Sequence, residues 1–382
     1  MAEKLGRPIK VLHVVTRMNT GGVAVLLDDL MSSFDSRLVE ATLLTGSCDE
    51  TEEDYLSVRK PKYRLIRVAS LQKKFNPPKD IQTFFEIRQL IKNLHIDVVH
   101  THTSKAGVLG RFAASTVKPK PVRVHTFHGH LLTGYFSPWK TKLVYWIEKL
   151  LELFTDSFVA MGSQVRSDLA SIGLGKRVNF NVFFPGLPSR AFEPKSIARK
   201  DLGLAENDTY VLFVGRMTAI KRPDRLLDSI EELVKRKVDI RVLAAGDGEL
   251  LVGLRDRALQ VNLPIVFLGW RSDIPKLIAA SDIAILTSDN EAVPLTLIEA
   301  SMAGLPLVST NVGSVSDVLV NDLNGYLVDS APAALADALQ KLAIDPVLRE
   351  IMGKAGRERA SRYFSLEKMC ADHTELYQAL HR

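Results

Sequence analysis

Short apolar runs alternate along the chain with longer stretches of helical spacing. Lys10-Val-Leu-His-Val-Val15 opens the series as a nearly continuous apolar run, the pattern of a parallel strand covered on both faces. Val23–Phe34 follows with helical spacing, and the alternation repeats. Val39–Thr45, Arg64–Val68, Asp97–His102, Val122–Phe127, Ser157–Ala160 and Val178–Phe183 read as strands; Lys79–Leu94, Ala106–Ser115, Trp139–Phe154 and Gln164–Ile172 read as helices. Pro185-Gly-Leu-Pro188 and the polar stretch to Lys200 interrupt the pattern and mark a boundary. It then restarts, with strands at Tyr210–Val214, Ile240–Ala245, Ile265–Leu268, Ile283–Thr287, Pro306–Thr310 and Tyr326–Val328. Helices are expected at Pro223–Arg236, Leu250–Val261, Ile274–Ala280, Pro294–Ala303, Ala331–Leu342, Pro346–Tyr363 and Leu366–Leu380, the last with Ser365 as its N-cap. This order predicts an α/β chain of two doubly wound parallel sheets with a cleft between them.

One strand–loop–helix unit concentrates the chemistry. Ile283–Thr287 leads into Glu291-Ala292-Val293-Pro294-Leu295-Thr296-Leu297-Ile298-Glu299. Pro294 is expected at the first helical position, where a missing N–H costs nothing, with Gly304 closing the helix and Pro306 preventing its continuation. Glu291 then lies at the helix mouth and Glu299 about five residues inside, roughly 7–8 Å along the axis. Open α/β sheets bind ligands outside the carboxyl ends of their strands, and free N–H groups at a helix mouth favour an anion. A ligand with hydroxyls at both ends and phosphate between them fits, and a nucleotide-sugar is one.

Composition narrows the setting. A length of 382 residues suits two domains, and 46% apolar with 25% charged residues are globular values. Two cysteines, Cys48 and Cys370, give neither a disulfide framework nor a metal spacing. The first residues lack the apolar core of a signal peptide, and no apolar run approaches the ~18 residues that span a bilayer. The expectation is a cytoplasmic protein. The chain's net charge is +6, and Lys/Arg clusters lie before residue 150, at Arg59–Arg67, Lys73–Lys79, Lys118–Arg123 and Lys140–Lys149. A basic face there suits an anionic substrate or the anionic inner face of a membrane; solvated loops account equally well for any single cluster. Nucleic acid is not an expected partner.

Two glycine-bearing loops could approach phosphate. Gly21-Gly22 stands between a strand and a helix, although no G-x-G-x-x-G occurs and a plain turn pair is the commoner origin of such a doublet. Gly215-Arg216-Met-Thr-Ala-Ile-Lys221 follows the first strand of the second half. Arg216 can bind phosphate bidentately and Lys221 as a point charge, together neutralising a diphosphate without a metal; in isolation the segment reads as a loop with two solvated cations. Gly21-Gly22, Asp97-Val-Val-His100, His128-Gly129, Gly215-Arg216 with Lys221, Gly246-Asp247-Gly248-Glu249, Phe267-Leu268-Gly269 and the Glu291/Glu299 pair occur in order. With that set the sequence resembles the family-four retaining glycosyltransferases of the GT-B fold over nearly its whole length. Thr101–Arg111 and Thr126–His130 further resemble bacterial members that build capsule, exopolysaccharide and lipopolysaccharide.

The resemblance implies two Rossmann-like domains, residues 1–188 for the acceptor and 189–362 for the donor, with residues 363–382 crossing back onto the first. It implies sugar transfer from a nucleotide-sugar, UDP-linked, to a glycan or lipid-linked acceptor, with retention at the anomeric carbon. No cofactor beyond the donor substrate and no metal are expected. Arg216 and Lys221 would hold the donor diphosphate, with Gly215 and Asp247 in the same loops. Glu299 would accept from ribose hydroxyls and Glu291 would face the sugar, while the main chain of Ala292, Val293, Pro294 and Leu295 would contact phosphate or sugar. Gly21-Gly22 would close over the phosphate, His128 would sit at the reacting sugar, and Trp270-Arg271 near the nucleobase. Glu291, His128, Arg216 and Lys221 are thus the groups expected at the reacting centre. Three positions depart from the family pattern: Ala292 where glycine is usual, Asp317 where glutamate is usual, and Pro185-Gly-Leu-Pro188 in place of Asn-Gly-x-Asp.

Rival readings are a nucleotide-sugar 2-epimerase of the same fold, a non-catalytic nucleotide-sugar binding module, and a glycosidase built on the two glutamates. No acid/base set for C2 is identifiable, the intact charged set argues against the second, and the phosphate-binding cations against the third. His95, His100, His102, His125, His128 and His130 are six of nine histidines; neighbouring strand ends explain the crowding, and no carboxylate or cysteine recurs beside them to complete a metal site. Trp139, Leu143, Trp146, Ile147, Leu150 and Phe154 recur at helical spacing among Lys140, Lys142 and Lys149. They are expected to pack against the sheet, with an interfacial membrane helix as the alternative.

Overall fold

The computed structural model describes residues 7–50, 52–57, 59–129 and 138–381. The described chain forms two compact units: one from the residues before Ser189 together with the segment from Leu366, the other Ser189–Ser365.

The first unit runs β1 (Ile9–Val15), α1 (Gly22–Ser33), β2 (Val39–Thr45), β3 (Arg64–Arg67), α2 (Pro77–Asn93), β4 (Val98–His102), α3 (Ser104–Ser115), β5 (Val122–Phe127), α4 (Pro138–Leu151), β6 (Ser157–Ala160), α5 (Ser163–Ser171) and β7 (Phe180–Val182). Its seven strands are ordered β3-β2-β1-β4-β5-β6-β7, all pairs parallel. β1 lies between β2 and β4, so the sheet reverses its direction of growth there and leaves a crevice at the carboxyl ends of these strands. Six of the seven β1 residues are buried, because helices cover both faces of a parallel sheet. The sequence run Val178–Phe183 pairs only over Phe180–Val182.

The second unit runs α6 (Lys195–Asp201), β8 (Tyr210–Val214), α7 (Pro223–Lys235), β9 (Arg241–Ala245), α8 (Leu251–Gln260), β10 (Ile265–Gly269), α9 (Ile274–Ala280), β11 (Ile283–Leu286), α10 (Leu295–Ala303), β12 (Leu307–Thr310), α11 (Val315–Val318), β13 (Gly325–Val328), α12 (Pro332–Ile344) and α13 (Pro346–Tyr363). Its six parallel strands are ordered β10-β9-β8-β11-β12-β13. Here β8 is the strand at the switch point, between β9 and β11. α7 buries Leu226, Leu227, Ile230 and Leu233 in the core with Phe213 and Val242, each worth about 1.5–3 kcal/mol of burial. The polar stretch ending at Lys200 holds α6, a helix made worthwhile by burial of Ala198 and by Arg199, whose Nη2 meets Asp282 at 2.6 Å.

The chain then returns to the first unit. α14 (Leu366–Leu380) packs Leu366, Met369 and Cys370 against Leu30 of α1. Leu366 N donates to Leu187 O at 3.0 Å, and the Tyr377 hydroxyl lies 2.6 Å from His100 Nδ1. Because α13 continues to Tyr363, the returning segment starts at Leu366 rather than at residue 363. Among the described residues, no helix is long and apolar enough to cross a membrane.

Candidate functional site

The adjacency of β8 and β11 brings the two loops singled out in the sequence together. After β8 the chain passes Gly215 and Arg216 and makes a short 3-10 turn at Ala219–Lys221. Thr287, just past β11, clamps that turn: its hydroxyl donates to Lys221 O (3.0 Å) and Arg222 O (2.9 Å), while Asp289 N donates to Ile220 O (2.9 Å). Buried Arg225 ties the same loops from below, bonding Thr287 O and Asp289 Oδ1 at 2.6 Å each. The outcome is an ion pair between Lys221 Nζ and Glu291 Oε1, with the Ser288 hydroxyl donating to the same oxygen at 2.6 Å. Arg216 is exposed and makes no side-chain hydrogen bond or ion pair among the described residues.

Glu291 is fixed from behind. Its carbonyl accepts from Ser314 N at 3.2 Å, and Gly313, at φ +52°, lies so close that a Cβ there would sit 1.8 Å from that carbonyl oxygen. Only glycine fits such an approach. Val293 and Pro294 are buried, and Ala292 is partly so. Pro294 is the N-cap of α10 and not its first helical residue, because its ψ of 109° is extended; its carbonyl takes Leu297 N and Ile298 N. The N–H groups of Leu295 and Thr296 therefore point out of the helix mouth with no partner among the described residues. Gly304 ends the helix at φ 85°. Glu299 projects from the second turn; burial raises its carboxyl above the usual glutamate value, opposed by Arg190 at 4.0 Å.

The remaining expected donor residues flank this centre. Asp247 caps its own loop, accepting from Gly248 N at 2.7 Å through Oδ1 and from Met217 N at 2.9 Å through its carbonyl. Trp270 is 73% exposed at the end of β10, and Arg271 is held by Asp273 at 2.6–2.7 Å. β10 stands two strands from β8, about 10 Å across the sheet. Trp270 and Arg271 thus stand apart from the Lys221–Glu291 pair, at the end of a different strand. Asp317 lies in α11, with its carbonyl accepting from Arg359 Nη2 at 2.7 Å.

In the first unit, Gly21 caps α1 with extended backbone, and a Cβ there would meet nothing nearer than Asn19 O at 3.9 Å. The fold itself does not require a glycine at that position. Six histidines gather at the centre: His13 from β1, His100 and His102 from β4, His125 from β5, His128 just after it and His373 from α14. Burial lowers the pKa of all six. Two members, His13 and His373, carried no sequence signal; one is interior to an apolar run and the other arrives from the far end of the chain. His130 lies outside the described residues, and His95 sits apart, in the turn before β4.

Helix α4 corrects an expectation. Leu143, Trp146, Ile147 and Leu150 are exposed, with Leu153 beyond them, instead of packed on the sheet. The opposite side faces inward, where Glu148 forms a buried bidentate pair with Arg111 (3.0 and 2.7 Å). The ion pair takes the inner side of α4, and the apolar stripe is left facing outward. Phe154 is partly buried against Phe112. The side chains of Trp139 and Lys140 lie outside the described residues. Sequence reasoning also missed Arg190, Ser288 and Arg225; their roles depend on contacts from Arg190 to Glu299 and from Arg225 to the β11 loop that no local pattern announces.

Comparisons with known proteins bear on the family and the fold. Residues 20–180 match the family model described as Glycosyltransferase Family 4, and residues 194–359 match Glycosyl transferases group 1. The chain is 30% identical over 308 residues to D-inositol 3-phosphate glycosyltransferase of Xylanimonas cellulosilytica, covering 74% of this chain and 71% of that one. It is 29% identical over 328 residues to UDP-Gal:alpha-D-GlcNAc-diphosphoundecaprenol alpha-1,3-galactosyltransferase of Escherichia coli, covering 82% and 83%. Anabaena HepE, solved in complex with UDP and glucose, superposes with a TM-score of 0.80 at 19% identity, over 97% of this chain and 100% of that one; this likeness shows the fold. A chain matched by both family models, with two parallel α/β units of the GT-B class, belongs to glycosyltransferase family 4 and is a glycosyltransferase.

Proposed function

We propose that this enzyme moves a sugar from a UDP-linked donor to a lipid-linked glycan, with retention at the anomeric carbon and without a metal. The observation that carries the reading is the helix mouth: Lys221 held on Glu291, the N–H groups of Leu295 and Thr296 open among the described residues, and Arg216, in the same loop as Lys221, without a side-chain partner among them. As the bond from C1 to the diphosphate oxygen breaks, negative charge collects on the departing nucleotide. Fixed cations and N–H groups aimed at that charge lower the barrier. Lys221 turns from Glu291 to the diphosphate, and Glu291 then accepts from the sugar hydroxyls. Glu299 accepts from the ribose, the exposed Trp270 indole offers a flat face to the base, and Gly21-Gly22 leaves room for the phosphate.

The first unit receives the acceptor, with His128 at the reacting sugar. The named activity of the E. coli relative, on a diphosphoundecaprenol-linked sugar, supports a lipid-linked acceptor. So does the exposed apolar stripe of α4 beside Lys142, which suits the headgroup layer of an anionic membrane on its inner face. The test is to incubate the protein with UDP-galactose, UDP-glucose and UDP-N-acetylglucosamine, each with a synthetic GlcNAc-diphospho-lipid. Product is followed by mass spectrometry. A lipid-linked disaccharide with one donor is expected. Absence of transfer from every UDP-sugar overturns the donor assignment, and formation of a 2-epimer without acceptor replaces transfer by epimerisation.

A further inference from the structure

Three of the buried imidazoles form a hydrogen-bonded chain. His13 Nδ1 lies 3.1 Å from His102 Nε2, and His102 Nδ1 lies 2.9 Å from His128 Nε2. The two outer nitrogens, His13 Nε2 and His128 Nδ1, are buried and have no partner among the described residues. Burial keeps the rings neutral, holding His13 at about 3 and His128 at about 4, with His102 also depressed.

A neutral imidazole carries one N–H and one bare nitrogen. Along three such rings a single choice sets every proton. In one arrangement His13 donates to His102, His102 donates to His128, and His128 is left with an N–H at Nδ1. In the other every bond reverses, so that His128 Nδ1 is bare and His13 Nε2 carries the proton. The two ends are not equivalent. His13 is enclosed by the rings of Phe34 and Tyr377, with centroids at 6.2 and 6.4 Å, and by His100 at 5.2 Å. Among the described residues nothing accepts a hydrogen bond from His13 Nε2. A buried N–H without an acceptor is the rarer and costlier defect, compared with a bare acceptor. His128 as a residue is only partly buried, and its Nδ1 is the end of the chain at which the proposed function sets the sugar.

A metal explains the cluster less well. Nitrogens of His13, His100 and His102 lie within 4.8 Å of one another, and no acid or cysteine joins them among the described residues. His100 is already bonded on both sides, to Tyr377 OH and Thr126 Oγ1, at 2.6 Å each.

We propose that His13 and His102 are positioning residues which, through this chain, present His128 to the reacting sugar as an Nδ1–H hydrogen-bond donor and not as a base. The proposal rests on the placing of His128 at the sugar. Nitrogen-15 spectra of the full chain with labelled histidine, recorded with UDP-galactose and assigned by single substitutions, read the tautomer directly. The expected result is an Nδ1–H signal for His128. His102→Leu severs the chain; it should give His128 mixed tautomers and lower kcat at least tenfold, with donor KM changed less than threefold. His102→Gln, whose amide both accepts and donates, should recover part of that loss. An Nε2–H signal for His128 in the wild type, which needs no variant to fold, overturns the proposal, as does an unchanged His128 signal in His102→Leu. Wild-type turnover in His128→Ala overturns the placing of His128 at the sugar and the proposal with it; an Nε2–H signal in an enzyme that needs His128 overturns the proposal alone.

Discussion

Mild acid should weaken the first unit and spare the second. His13, His100, His102, His125 and His373 are at most 2% exposed, and burial lowers the pKa of each. The unfolded chain takes up these protons near pH 6.5; the folded chain does not, until about 4 for His373 and about 3 for His13. Stability is therefore complete above pH 6.5 and falls as pH drops below it. At pH 5.5 His13 and His373, held at about 3 and about 4, each withdraw on the order of 1 kcal/mol, and His100, His102 and His125 act in the same direction. A folded domain has about 5–15 kcal/mol in hand, so losses of this size at several neighbouring imidazoles should weaken the first unit as pH falls below about 6. No histidine occurs from Ser189 to Ser365, so this cause is missing from the second unit. Hydrogen exchange read by mass spectrometry at pH 7.5 and 5.5, corrected for intrinsic rates, separates the two. Peptides from β4 and β5 should lose protection at the lower pH while those from β8 and β11 keep it. Equal protection of β4 and β5 at both values would refute the reasoning, since these imidazoles would then be charged or anion-paired in the native state.

Other outcomes follow from single contacts. Lys221→Ala should lower turnover about a hundredfold, the loss of one fixed donor to transition-state charge being on the order of 3 kcal/mol; turnover within threefold of wild type would remove Lys221 from the diphosphate. Gly21→Ala should leave the melting temperature unchanged, because the fold has room for the methyl, while raising donor KM; an unchanged KM would show that no ligand approaches there. Arg111→Ala should cost about 3–5 kcal/mol in denaturant titration, since it strands buried Glu148, and Arg111→Leu with Glu148→Leu should cost less than the single change. Turnover should survive EDTA, with Arg216 and Lys221 supplying the positive potential; an absolute requirement for Mg²⁺ or Mn²⁺ would contradict that.

The alternation of elements and the Glu291 to Glu299 unit were legible because both are local. Parallel strands buried on two faces read as apolar runs, and Gly304 and Pro306 mark a helix end whatever surrounds them. Less legible were features set by partners distant in sequence. Helix α6 looks like a polar linker until Asp282 arrives to bind Arg199. The apolar stripe of α4 reads as core until Arg111 claims the opposite side for Glu148. The Lys221–Glu291 contact joins residues 70 apart: the sequence marks each as interesting, and only the β8–β11 pairing makes them neighbours. The histidine chain is the extreme case, since His13 sits in a run that hydrophobic pattern alone assigns to the core.

The return of α14 sets an order of events during synthesis. The ribosome releases β1 to β7 first, but His100 meets Tyr377, and Leu30 meets Leu366 and Met369, only after the whole of Ser189–Ser365 has been made. At ~5–20 residues per second that delay is roughly 10–40 s. The N-terminal half must therefore wait, with part of α1 and the histidine centre uncovered, while the later-made but uninterrupted half completes itself. A chain released before Leu366 would carry a complete second unit and an unfinished first one, an opening for chaperones or proteases that a chain with two uninterrupted domains would not present.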